Sequence, residues 1–176
     1  MIRADGYDQK MMQESVASIL EATKLCSMAT SNGTVPYINT AYFAYTNDLK
    51  IYFLSQPTLQ HSLNLANNPA ISLTVFDSSQ PFASHLQGLQ IFGECILTAR
   101  QIERFAFDLY TKRFPKLLGK VPSFEDYERG VIKSRFYEIN THSIKIFDEP
   151  RFGKDVWITA IVGNRPKILE GLASEA

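Results

Sequence analysis

The chain has only two cysteines among 176 residues, Cys26 and Cys95, and neither lies in a C-x-x-C pair. That is too few for a disulfide framework, and the compartment it implies is a reducing cytoplasm. Histidine is as sparse: His61, His85 and His142 form no H-x-x-x-H or H-E pairing, so no metal site is expected. An excess of one charge is missing too, because 18 Lys and Arg balance 18 Asp and Glu. Nucleic acid and membrane surfaces are therefore not expected partners. No apolar run approaches the length of a membrane span, and the start, MIRADGYDQKMMQ, lacks an apolar signal core. G-x-S-x-G, the Walker loop and G-x-G-x-x-G are all absent, which argues against serine hydrolases, P-loop enzymes and Rossmann dinucleotide binders.

What is present reads as one globular domain over 1–162 with a polar tail over 163–176, the chain being 45% hydrophobic and 20% charged. Met12, Val16, Ile19 and Leu20 recur at helical spacing within 8–23. Leu25 to Thr30 is a strand closed by the turn Ser31-Asn32-Gly33. Val35 to Tyr45 carries large groups on both faces, which predicts a strand covered on both sides, by barrel core and by a subunit or ligand. Asn47-Asp48 turns the chain into Lys50–Ser55, a helix follows over Gln60–Asn67, and Pro69 stops it. Strands follow at Ile71–Phe76 and Leu86–Leu97, where Gly88 and Gly93 suggest a bulge, a barrel corner or a close backbone approach. Arg100 to Phe114 is a second amphipathic helix. Lys116 to Gly130 reads as a mobile lid or a subunit contact, and two further strands are expected at Arg135–Asn140 and Ser143–Phe147. The pattern is mainly β with appended helices, an antiparallel closed or partly closed barrel.

Ser55 to His61 is the best site candidate. A hydroxyl at a strand end followed by a helix N-terminus offers free N–H groups and a positive dipole end to an anion. The plain alternative is that Thr58 only caps a short helix. Tyr37, Tyr42, Phe43, Tyr45, Tyr52 and Phe53 crowd the neighbouring hairpin and either fill the core or line a slot for a planar ring. Cys95, mid-strand beside Ile96 and Leu97, reads as a buried, inert thiol.

Several short motifs then occur in a telling order. G-x-x-P runs from Gly33 to Pro36, Phe53-Leu54-Ser55 ends a strand, and Asn67-Asn68-Pro69 leads into ISLTVF. Gly88-Leu89-Gln90-Ile91-Phe92-Gly93 and YEINTHSIKIF (Tyr137 to Phe147) follow. The chain thereby resembles the pyridoxamine-phosphate-oxidase-like flavin-binding split barrels, and Phe152-Gly153-Lys154 with Trp157 is similar to a branch of small bacterial members. The resemblance implies a homodimer with FMN in clefts between subunits and a redox reaction on a small molecule. Carried over by position, Thr40, Ala41, Tyr42 and Phe147 would line the flavin, with Leu54, Ser55 and Thr58 at its ribityl-phosphate end. The family's phosphate-binding Arg and Lys positions are here Asn39, Ala44, Gln60 and His61, so Asn39, Gln60, His61 and Gln90 would bind through neutral hydrogen bonds. Arg151 and Lys154 are possible substitutes for the lost cations. Two other readings stay open: a dimeric binding or sensing module of the same fold without flavin, and a haem-handling barrel with His61 or His142 as axial ligand.

Overall fold

The computed structural model describes residues 2–163. The expected polar tail beyond Gly163 lies outside them. Six strands close a barrel: β2 (Leu25–Ser31), β3 (Pro36–Tyr45), β4 (Lys50–Ser55), β5 (Ala70–Phe76), β6 (Gln87–Leu97) and β7 (Arg135–Asp148). They pair antiparallel in the order β7-β4-β3-β2-β5-β6, and β6 returns to β7. β8 (Trp157–Val162) and the two-residue β1 (Ile2–Arg3) extend the sheet from β7.

Side-chain alternation sorts two cores. Met28, Phe43, Ile51, Phe53, Leu73, Leu89, Ile91, Ile139 and Ile144 point into the barrel, and helix α1 (Gln9–Ala22) adds Met12, Val16 and Leu20 to this cluster. Asp8 starts α1 by accepting the Met11 N–H at 2.7 Å, which satisfies one of the free amides of the first turn. On the outer face of the same strands, Ala44, Tyr52 and Phe136 meet α3 (Arg100–Arg113), whose Ala106, Phe107 and Tyr110 face them. The large groups on both faces of β3 and β4 are thus covered partly by the chain's own helix. Further along β3, Ile38, Thr40 and Tyr42 remain exposed.

Three expectations change. Arg135–Asp148 is one strand, not two. The polar stretch at Thr141-His142 marks a bulge, where pairing passes from Phe92 and Ser143 to Gly93 and Thr141 and skips His142. Gly93 permits it, since a Cβ there would stand 2.3 Å from the Asn140 carbonyl oxygen. Second, of the two readings of 116–130 the mobile lid is not what is found: a 3₁₀ turn (Pro115–Gly119) and α4 (Phe124–Glu128) carry Val121, Phe124 and Tyr127 into the outer core. Tyr127 accepts the Phe136 N–H and donates to Glu103. Third, Thr58 is no cap. Helix α2 (Gln60–Asn67) begins after Leu59, with no side-chain capping bond.

Candidate functional site

β3 and β4 bring Tyr42 and Leu54 side by side on the outer face of the barrel, where they form the floor of a cavity of ≈ 530 Å³. Tyr110 and Phe114, from the end of α3, form its wall. Their rings lie 4.8 Å apart, Phe114 meets Tyr42 edge-on at 5.3 Å, and the Tyr110 hydroxyl donates to the Tyr42 carbonyl at 3.3 Å. Burial pushes the Tyr110 phenol well above its ordinary pKa, so it stays a neutral donor. The 3₁₀ turn supplies Lys116, Leu117 and, just beyond it, Lys120. Among the described residues no carboxylate lines this cavity.

Arg113 is the third cation of the wall, but its charge is committed. Nη2 donates to the carbonyls of Leu20 and Thr23 at the end of α1, and Nη1 pairs with Glu21 at 3.2 Å. The guanidinium also lies over the rings of Phe43 and Tyr45. Lys116 and Lys120 are different: both are exposed, and among the described residues neither has an ion-pair partner.

The chain leaves the cavity floor at Leu54 and enters α2. Ser55 points the other way, inward, and its Oγ lies 2.6 Å from His61 Nε2. Both residues are buried, and burial holds the His61 imidazole below its ordinary pKa. Tyr37 stacks near the imidazole with centroids 6.5 Å apart. Gln60 donates to Asn64, which in turn donates to the Thr30 hydroxyl. Thr58 is exposed. The first turn of α2 therefore presents backbone N–H groups with no capping side chain and no acidic residue.

The remaining sequence candidates fall elsewhere. Asn39 faces the barrel interior opposite Met28, with a buried Oδ1 that has no partner among the described residues. Ala41 also faces inward, and its carbonyl accepts from the Cys26 thiol. Thr40 lies on the outer face, 3.4 Å from Ser27 Oγ. Gln90 pairs across with Thr74 and Lys145, and Phe147 is stacked on Trp157 at 4.4 Å. Arg151 is tied to the buried Asp148 at 3.2 Å. The structure thus gathers Tyr42 with Leu54 and Ser55 with His61, while Gln90 and Phe147 sit on strands β6 and β7. Both thiols are buried and their pKa values are raised by desolvation, that of Cys26 to about 12.

The sequence model of the pyridoxamine 5'-phosphate oxidase family matches residues 12–146. The chain belongs to this family. No curated protein is significantly similar to it. Among solved structures, this family member is similar to a protein of unknown function from Agrobacterium tumefaciens, with TM-score 0.66 and 18% identity over 82% of this chain and 59% of that one. A protein from Clostridium acetobutylicum related to general stress protein 26, of the pyridoxinephosphate oxidase family, gives 0.62 and 16% over 89% and 97%. The heme binding protein from Mycobacterium smegmatis gives 0.66 and 9% over 88% and 58%. The chain therefore spans less than two thirds of the Agrobacterium and mycobacterial proteins. At these identities the likeness concerns the fold.

Proposed function

We propose that this member of the pyridoxamine 5'-phosphate oxidase family binds FMN and performs a redox reaction on a small molecule. The observation that carries the reading is the bare first turn of α2, directly after the strand that floors the cavity. Its unpaired N–H groups and the exposed Thr58 hydroxyl suit the phosphate. Thr40, Tyr42 and Leu54 offer an apolar and aromatic bed for the rings. The residues fit the cofactor through neutral donors only, since no side-chain cation stands at Asn39, Ala44, Gln60 or His61. Each charge-assisted bond forgone is worth about 1.5 to 3 kcal/mol, so FMN is held loosely. When bound, the flavin supplies the hydride chemistry. The chain supplies orientation and a cleft shielded from water.

Ile38 and Tyr42 expose 70% and 55% of their surface on the outer face of β3. Apolar exposure on this scale along one strand supports a homodimer through that face. Ile38→Asp is expected to give monomers by sedimentation. For the cofactor, flavin absorbance of the protein after incubation with FMN and gel filtration is the test, with Thr58→Glu as control. Retained flavin that Thr58→Glu abolishes supports the reading. A colourless protein that takes up none of FMN, FAD or haem favours the sensing module.

A haem reading has one observation in its favour. The bulge projects His142 into a groove of ≈ 440 Å³ beside Glu94, whose carboxylate is 3.8 Å from Nε2. His61, engaged by Ser55, is the poorer ligand. A Soret shift on haemin titration, lost in His142→Ala, is the matching test.

A further inference from the structure

We infer that the cavity beneath the 3₁₀ turn binds an amphipathic monoanion, an aryl or alkyl carboxylate, with its apolar end inward and its charge at the mouth. This deepens the redox reading by naming a substrate class, and it rests on that reading only for the word substrate. Three features carry it. The volume, ≈ 530 Å³, lies within the roughly 300–1,000 Å³ typical of small-molecule sites. The interior is largely apolar: Leu54, Phe114 and Leu117 join the rings of Tyr42 and Tyr110, and the Tyr110 hydroxyl is spent on the Tyr42 backbone carbonyl. A charged group placed there would lose its hydration with nothing to replace it. The mouth is the reverse, with two exposed lysines unpaired among the described residues and no carboxylate to neutralise them. Two like charges four residues apart, one on the 3₁₀ turn and one just after it, repel each other, and an anion between them relieves this. Arg113 serves poorly, because Glu21 and the α1 carbonyls hold its two terminal nitrogens and only its buried Nε has no partner among the described residues.

The orientation separates this ligand from a phosphate ester bound deep. A compact dianion finds no uncommitted cation inside, only the buried Nε of Arg113, whereas an apolar tail finds several rings. Neutral analogues keep the tail contacts and lose the mouth.

The test is calorimetric titration of the flavin-free protein with 4-phenylbutyrate, with 4-phenylbutyramide and with inorganic phosphate. The acid is expected to bind at least tenfold more tightly than the amide and to weaken as salt is raised, while phosphate alone gives no saturable heat. Lys116→Glu with Lys120→Glu, at exposed positions whose folding is checked by thermal melting, is expected to weaken the acid at least tenfold and to leave the amide unchanged. Equal binding of acid and amide overturns the inference, as does binding of neither, or an acid affinity that the double variant retains. Adding FMN in a second titration distinguishes the two readings. Protein that binds the acid but never FMN sinks the flavin alone, and protein that binds FMN but never the acid sinks this assignment alone.

Discussion

Ser55 Oγ and His61 Nε2 are 2.6 Å apart in a site where both side chains are almost wholly buried. The bond joins the end of β4 to the first turn of α2, so the helix that offers its amides is fixed to the strand that floors the cavity. Burial and the positive end of the helix both disfavour an imidazolium here.

That arrangement gives a pH dependence with a definite sign. The unfolded imidazole takes its proton near pH 6.5, and the folded one only at lower pH. Below about pH 6.5 the unfolded state thus holds more protons, and stability falls as pH falls. The urea midpoint is expected to drop between pH 7.5 and 5.5, and to drop less in His61→Gln. Parallel drops in the two proteins would clear His61 as the cause.

Arg113 ties the end of α1 to the end of α3 through two carbonyls and Glu21. Arg113→Met removes all of these bonds and leaves the carbonyls without their donor, an expected loss of about 3 kcal/mol. Arg113→Lys is expected to recover only part of it, because an ammonium lacks the planar fork. Denaturant titration of the three proteins checks the order; a lysine variant equal to wild type would contradict it.

Two glycines of β6 should differ in what they tolerate. At Gly93 a methyl group would meet backbone, the Asn140 carbonyl at 2.3 Å, whereas at Gly88 it would meet the ring of Phe76, which is partly exposed and able to swing. Gly93→Ala is expected to cost about 3 kcal/mol and Gly88→Ala about 1. Equal costs in chemical denaturation would show that the strand yields at the bulge as easily as a side chain does.

Much of this fold could be read from local pattern. The hairpin turn at Ser31-Asn32-Gly33, the bounds of α2 and the amphipathic stripes of α1 and α3 depend on neighbours in sequence, and the structure has them within a residue or so. Thr58 misled because any hydroxyl before a helix looks like a cap, and the chain begins its helix one residue later than that cap requires. Thr141-His142 misled because polar residues inside a strand resemble a turn, while the bulge that explains them is set by Gly93 on the opposing strand. The cavity was illegible for a different reason. Its floor at 42 and 54 and its lysines at 116 and 120 meet only through the packing of α3, and no window of sequence contains both.

The same packing decides which lost cation can be restored. Ala44 is fully buried against Phe107 and Tyr110, so Ala44→Lys is expected to destabilise the protein by several kcal/mol without improving FMN retention. Gln60 lies exposed at the start of α2, and Gln60→Arg is expected to raise FMN affinity about tenfold, or about 1.4 kcal/mol. Equilibrium dialysis with FMN checks both; tighter binding by the Ala44 variant alone would place the phosphate beneath α3.

β7 pairs with β4 and β6 and also carries β8. The stave that closes the barrel is therefore synthesised after the other five. Until residue 148 has left the ribosome, β4 and β6 stand with open edges and the inner core stays unsealed, a state prone to pairing with other chains. A nascent chain ending before Arg135 holds about nine-tenths of the family match and no closed fold, so the molecule's exposure to misassembly is greatest just before β7 emerges.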